Sequence, residues 1–369
     1  MARNIFGIIV LWVALRLAVY AAVGQPWGGL AEAMCHFDCD WYERLAHSGY
    51  GVDTQFGDRG SYPNWAFFPL YPMLLFGVTE LAPWSARLAG VLLSSLFLVG
   101  FIAVGAAYLG RLGAIRLPLW IALVLVMPNA HFFSAVYTES LFALLSAGCL
   151  LALATGRPLT AALLAALASA TRPTGIALTL IIAGERVRHC WRLRHAPDWQ
   201  ATLANGLLPL AIAPLGLSVF MLAQYASVGD AMAFSHVQID WGRVWRGPVA
   251  ILADGLHRAD WGALAGPMGG PSASYAACWA LLGIAVIAGL CWYRHFAEAC
   301  LLAVCVVLPL ATGLDSQPRY VATNPAFLFA LYRLLVGRPA WLRGLALLGL
   351  AGAHGIMLWA WMSGAGGVF

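Results

Sequence analysis

The sequence contains no lysine: all 21 of its basic residues are arginine. Schiff-base chemistry and P-loop phosphate binding through lysine are thereby excluded, and any anion must be held by guanidinium forks. Charge of either sign is scarce, at 10% of 369 residues. Nine histidines form no HExxH arrangement and no His/Cys cluster with metal-ligand spacing, and neither a GxSxG elbow nor a Walker loop occurs. No nucleic-acid motif, internal repeat or low-complexity linker is found. The formal charge of +5 sits in short loops, where it carries topology information.

What the chain has instead is apolar surface. At 62% hydrophobic residues and a mean hydropathy of +0.79, it holds more than a water-facing core can bury, so it is expected to be an integral membrane protein. Segments of about 20 apolar residues cross a bilayer as helices. About eleven such crossings are expected, two of them short, near 5–24, 83–110, 116–130, 132–154, 158–171, 173–185, 203–227, 274–293, 296–313, 319–336 and 341–362. The first resembles a signal peptide, but its length favours an uncleaved helix. Residues 67–81 are apolar yet short, and are expected to be partly embedded.

Arginine sets the orientation. Arg3, Arg111, Arg116, Arg157, Arg186, Arg188, Arg192, Arg194, Arg294, Arg338 and Arg343 fall on one side, which the positive-inside rule makes cytoplasmic, with the N-terminus. The other side receives loops at about 25–83 and 229–273 and a turn with Asp315, Gln317 and Arg319. The first loop is acidic, with Glu32, Asp38, Asp40, Glu43, Asp53, Asp58 and Glu80 against Arg44 and Arg59. The expected organisation is one membrane domain, 1–369, with both loops forming an external cap.

Of eight cysteines, most lie in apolar runs and behave as small hydrophobes. Cys35 and Cys39 flank the carboxylates Asp38 and Asp40. An oxidising compartment permits a bridge between them, but four-residue spacing within a helix argues against one. The stretch HFDCDWYERLAHSGY, residues 36–50, is expected to be an amphipathic interfacial helix with Trp41 and Tyr42 at headgroup depth. It would hold Asp38 at the boundary between lipid and water; the alternative reading is that Asp38 simply N-caps this helix. YPNWAFFPLYP, residues 62–72, is too rich in proline for a regular helix. It reads either as a rigid wall for a lipid chain or as an aromatic anchor.

Three ionisable residues fall within expected spans: Arg16, Arg87 and Glu139. Arg16 and Glu139 lie at similar depth, about 10 to 12 Å below the outer boundary at 1.5 Å per residue, which predicts an ion pair. Arg172 in TRPTG and Arg319 in QPRY sit beside prolines where apolar runs meet. Arg319 is the preferred phosphate ligand, and Arg172 is a second ligand or a snorkelling anchor. Asp38 and Asp40 could bind a divalent cation, but two carboxylates alone usually hold magnesium only with help from substrate phosphates, so no metal or cofactor is required.

HFDCDWYERLAHSGY and AFFPLYP resemble the luminal signature of the PIG-V mannosyltransferase family. NAHFFSAVYTESLFALLS (129–146), SATRPTGI (169–176) and QPRY (317–320) fit it in the same order. Phe37 replaces the family's usual tryptophan, and Pro173 and Thr174 replace a common serine-asparagine pair. A short chain without lysine resembles a bacterial member, placed in the inner membrane with its site facing the periplasm. The resemblance implies a GT-C fold: an all-α polytopic glycosyltransferase. It would move a sugar, typically mannose, from a polyprenyl-phosphate donor to a lipid-linked or glycan acceptor, with inversion. It implies Asp38 as general base and Asp40 as an assisting acid position. Arg319 and Arg172 would face the donor phosphate. His36, Tyr42, Trp65, Phe68, Tyr71, Glu139, Arg16, Gln317 and Tyr320 are candidates for the substrate pocket. The competing reading is a transporter or flippase whose path is lined by Arg16, Glu139 and Arg172. A catalytically silent assembly subunit is a third.

Overall fold

The computed structural model describes residues 2–51, 63–195, 199–258 and 272–364, and every regular element among them is helical. Asp53, Asp58, Arg59 and Tyr62, expected in the acidic loop and the aromatic stretch, lie outside the described residues. The chain opens with α1 (Ala2–Val23), the short α2 (Leu30–Ala33) and α3 (Asp38–Ser48). Next come α4 (Leu70–Leu81), α5 (Ala86–Leu112), α6 (Leu117–Val126), α7 (Glu139–Ala154), α8 (Pro158–Ser169) and α9 (Ile176–Leu193). A bent pair, α10 (Trp199–Ile212) and α11 (Leu215–Val228), precedes the short α12 (Ala233–His236) and α13 (Pro248–His257). The chain ends with α14 (Ala273–Trp292), α15 (Phe296–Leu310), α16 (Gln317–Ala322), α17 (Pro325–Val336) and α18 (Ala340–Met362).

Among the described residues, α1, α5, α14 and α18 are long and apolar enough to cross a membrane, and α10 with α11 makes a fifth if the pair is one span bent by 42°. The eleven expected runs are therefore not eleven unbroken helices. Proline accounts for much of the difference, because it lacks an N–H and disfavours helical backbone in the residue before it. Pro214 separates α10 from α11, Pro325 separates α16 from α17, and Pro173 separates α8 from α9. The expected runs 116–130 and 132–154 are interrupted by residues 127–138, which form only a short turn of 3-10 helix at Ala130–Phe133. That segment is wholly buried, and its Asn129 adopts a left-handed φ of 63°. At 10 to 16 residues, helices such as α6 and α7 are about 15 to 24 Å long, short of the roughly 30 Å hydrocarbon layer.

Helix ends are fixed locally. Ser85 caps α5 by accepting from Leu88 N, Ser272 caps α14 by accepting from Tyr275 N, and Asn324 caps α17 by accepting from Ala326 N. Apolar faces then merge into one main core, in which Trp120, Phe101, Phe133 and Phe329 are fully buried. Close approach matters at two glycines. A Cβ on Gly216 would stand 1.9 Å from the Ala166 carbonyl oxygen, so glycine lets α11 lie directly on α8. A Cβ on Gly175 would come within 2.5 Å of the Ala168 and Ser169 backbone, so glycine lets the Arg172–Pro173 break fold back on the end of α8.

Candidate active site

The site is assembled where α3, the buried segment 127–138, the proline break at Arg172 and the short α16 meet. α3 starts after Phe37, whose φ of 56° turns the chain sharply. Phe37 holds the cap position and Asp38 is the first helical residue, with no side-chain cap bond, so the capping role is overturned. The same turn corrects the cysteine expectation. Cys35 lies outside the helix and Cys39 inside its first turn, which brings their Cα atoms to 5.3 Å and closes a disulfide. The spacing argument failed because it assumed both residues were helical. Bridged sulfurs cannot ligate a metal, so the cluster of Cys35, Cys39 and Asp40 is not a metal site.

Tyr137 secures the turn from below. Its hydroxyl donates to His36 O at 3.0 Å and accepts from Asp38 N at 3.0 Å. The Asp38 carboxylate is thereby aimed at α16, where Arg319 Nη1 donates to Asp38 Oδ2 at 3.0 Å. Arg319 Nε also lies 3.2 Å from Glu139 Oε1, and its Nη2 donates to Ser316 Oγ at 3.3 Å. Its guanidinium rests on the rings of Phe132, Tyr137 and Tyr320 at 5.1 to 5.2 Å. Arg172 donates through Nε to Thr138 Oγ1 at 2.6 Å and through Nη2 to Glu139 Oε1. It also faces the Tyr320 ring at 5.5 Å.

Glu139, at the start of α7, is the hub of this arrangement. Its side chain is fully buried, Oε1 serves both arginines, and Oε2 has no hydrogen-bond partner among the described residues. An isolated carboxylate at that depth is costly, and two guanidinium groups offset the cost. Asp38 is different, because 30% of its side chain remains accessible. The cluster thus has a sealed acidic base and one carboxylate that opens outward.

Several expectations are corrected. Arg16 and Glu139 do not pair. Arg16 instead donates to Tyr20 Oη at 2.8 Å, to Ser134 Oγ at 3.3 Å and to the Ala130 carbonyl, and Tyr20 in turn meets His354 at 2.8 Å. A similar expected depth did not bring the two charges together, because Arg16 is held by Tyr20, Ser134 and Ala130 while Glu139 is held by Arg172 and Arg319. Arg16, Glu139 and Arg172 consequently do not share the lining that a translocation path requires. Asp40 does not join Asp38, because residues two apart on a helix point about 200° from one another. It pairs with Arg87 at 3.3 Å, as do Glu43 at 3.1 Å and Glu32, so this arginine pins α2 and α3 to the start of α5. Arg172 does not snorkel, since Thr138 and Glu139 hold it inside.

The pocket candidates also divide. Tyr320, Glu139 and Arg172 belong to the cluster, and His36 and Tyr42 flank it. The His36 ring sits 5.4 Å from Trp361, and burial lowers its pKa from the ordinary 6.5. Tyr42 packs on Tyr137 and Tyr71, and burial raises its pKa above 10.0 with the Asp38 charge adding to the effect. Tyr71 is a packing residue, fully buried and bonded to Ser94 Oγ at 2.8 Å. Gln317 is an anchor, donating to Val306 O at 3.1 Å to fix α16 on α15. Trp65 and Phe68 lie in a separate aromatic group with Phe220. That group borders an apolar cavity of about 750 Å³ between the 65–73 segment, α8 and α11, lined by Tyr50, Trp65, Met73, Leu167, Val219 and Phe220 among others. Leu70 N donates to Ala170 O at 3.0 Å, so the cavity wall is joined to the chain two residues before Arg172.

Tyr137, Thr138 and Ser316 were missed as site residues. The first two lie inside a stretch already singled out, NAHFFSAVYTES, where a tyrosine and threonine beside an intramembrane glutamate were the available signal. Ser316 carried none.

Comparison with known proteins adds the following. The family model for mannosyltransferase (PIG-V) matches residues 10–225. GPI alpha-1,6-mannosyltransferase 2 of Mus musculus is 29% identical over 234 residues, which cover 58% of this chain and 46% of the relative. Its Homo sapiens counterpart is 32% identical over 172 residues, covering 44% of this chain and 33% of the relative. The chain therefore spans less than half the length of these curated relatives in each alignment. Among solved structures, the Archaeoglobus fulgidus oligosaccharyltransferase AglB, in complex with an inhibitory peptide and a dolichol-phosphate, aligns over 96% of this chain and 56% of its own at a TM-score of 0.45 and 12% identity.

Proposed function

Because the chain belongs to the mannosyltransferase (PIG-V) family, we propose that it is an integral membrane glycosyltransferase of GT-C type. It moves a sugar, mannose in this reading, from a polyprenyl-phosphate donor to a lipid-linked or glycan acceptor, with inversion. The site faces away from the arginine-rich turns and hence away from the cytoplasm. The observation that carries the proposal is the partly accessible Asp38 carboxylate, 3.0 Å from an arginine that a buried glutamate also holds.

The chemistry follows from that pairing. Asp38 accepts the proton of the acceptor hydroxyl while the hydroxyl oxygen attacks the sugar C1 from the face opposite the phosphate. The bond between C1 and the phosphate oxygen breaks, and its electron pair leaves with the phosphate. Fixed guanidinium groups stabilise the charge that develops there, which is worth more in a water-poor site than in bulk water. Glu139 holds Arg319 and Arg172 in place before substrate arrives, so little reorganisation is needed. The apolar cavity beside Trp65 and Phe220 suits the isoprenoid chain.

The test is direct transfer. Proteoliposomes are incubated with labelled polyprenyl-phosphate mannose and candidate acceptors, and products are separated by thin-layer chromatography. A labelled glycolipid or glycan is the expected product. Movement of lipid across the bilayer with no new glycosidic bond would overturn the assignment.

A further inference from the structure

The arginines of this site are not equivalent. Arg172 and Arg319 both lean on Glu139, and Arg319 also engages Asp38. Their charges are already answered by carboxylates. A third guanidinium reaches the same place from the cap. Arg243 follows the 3-10 turn Val237–Trp241, where Gly242 adopts a left-handed φ of 69° and redirects the chain. Trp241 packs on Trp41 of α3, with ring centroids 5.4 Å apart, which ties this arm to the helix that carries Asp38.

Arg243 has only neutral partners among the described residues. Its Nη1 donates to Gln238 Oε1 at 3.3 Å and its Nη2 to Ser316 Oγ at 3.4 Å. Arg246, three residues on, contrasts with it by pairing with Asp254 at 2.6 Å. Ser316 Oγ also accepts from Arg319 at 3.3 Å, so two like charges converge on one uncharged oxygen. Such convergence is repulsive unless an anion joins it. The field of Arg243 extends, with those of Arg319 and Arg172, to the Tyr320 hydroxyl.

We propose that Arg243, with Ser316 and Arg319, forms the subsite for the phosphate of the donor, and that this subsite is matched to a phosphodiester carrying a single negative charge. The inference rests on the transferase reading above and deepens it. Three guanidinium groups against the carboxylates of Asp38 and Glu139 leave one positive charge, which one sugar phosphodiester neutralises. A nucleoside diphosphate sugar would bring an excess of negative charge. The balance also survives the reaction. When Asp38 takes the acceptor proton the site gains one positive charge, and the departing phosphate monoester gains one negative charge. Among the described residues, Arg243 is the member of the set that no carboxylate pairs with, so it can turn fully to the phosphate.

Equilibrium binding of tritiated polyprenyl-phosphate mannose, the singly charged phosphodiester, and of neutral polyprenol to the full chain in nanodiscs tests this. Arg243→Ala should weaken binding of the phosphodiester by about ten- to a hundredfold, the range for loss of a charged hydrogen bond, and leave polyprenol binding unchanged. Arg243→Lys should recover part of the loss, because it restores charge without the fork. Asp38→Asn should bind the phosphate at least as tightly as the wild type, because it removes a carboxylate that competes for Arg319. If Arg243→Ala binds the phosphate as tightly as the wild type does, Arg243 is not its ligand. If the wild type does not prefer the phosphate to the polyprenol, the sugar-phosphate reading itself falls, and this subsite with it. A thermal melt close to that of the wild type separates either result from misfolding.

Discussion

Replacing Asp38 by asparagine removes one charge and almost no volume, and the structure sets its two consequences far apart. The stability effect is small. Arg319 keeps Glu139 at 3.2 Å, so no guanidinium is left buried and unpaired, and the Asp38 side chain is 30% accessible, which screens its share of the pairing. The loss is about 1 kcal/mol, or at most a few degrees of melting temperature. The kinetic effect is large, because asparagine cannot accept the hydroxyl proton. General-base catalysis contributes about 10² to 10⁴ in rate, and the lower bound equals about 2.7 kcal/mol of barrier. The assay is the initial rate of labelled mannose transfer in proteoliposomes, set beside a thermal melt of the same preparation. A rate at least a hundredfold lower with a nearly unchanged melt is expected. Turnover within about threefold of the wild type would remove Asp38 from the mechanism, and a rate that fell only in step with the melt would reduce it to a structural role.

Glu139→Gln should behave in the opposite way. It leaves the two arginines without their shared carboxylate, so a stability loss of about 3 to 5 kcal/mol and a markedly lower melting temperature are expected, and an unchanged melt would contradict its role as hub. Replacing Cys35 and Cys39 together by serine opens a very short loop, worth about 2 kcal/mol in the chain-entropy model, and should lower transfer by loosening the turn that aims Asp38. Full activity of that double variant would show that Tyr137 alone sets the turn. His36 is held neutral chiefly by burial, which outweighs the opposing pull of Asp40 and Glu32. The unfolded chain takes up a proton on this residue at about pH 6.5 and the folded chain only at lower pH, so stability is fully present above about 6.5 and is lost as pH falls from there toward the folded pKa. The melting temperature should decline less steeply between about pH 6.5 and 5.5 in His36→Gln than in the wild type. Parallel curves would refute the assignment.

Composition alone determined the environment of this protein, since no water-soluble core can absorb so high an apolar fraction. Local chemistry determined more: Asp38 just past the first long apolar run, and Arg172 and Arg319 beside prolines, where a helix must break and a charged side chain can leave the apolar face. The order of the apolar runs and of the charges within and between them was legible, because both are properties of the chain itself. Which helices face one another was not, because it depends on how helices distant in sequence pack. Arg319 meets Asp38 across 281 residues and Glu139 meets neither its expected partner Arg16 nor solvent. The same limit hid Arg243 on an unmarked loop and turned Asp40 away from Asp38 toward Arg87. Hydropathy tells which apolar run each charge belongs to, and only the packed bundle decides which opposite charge stands across from it.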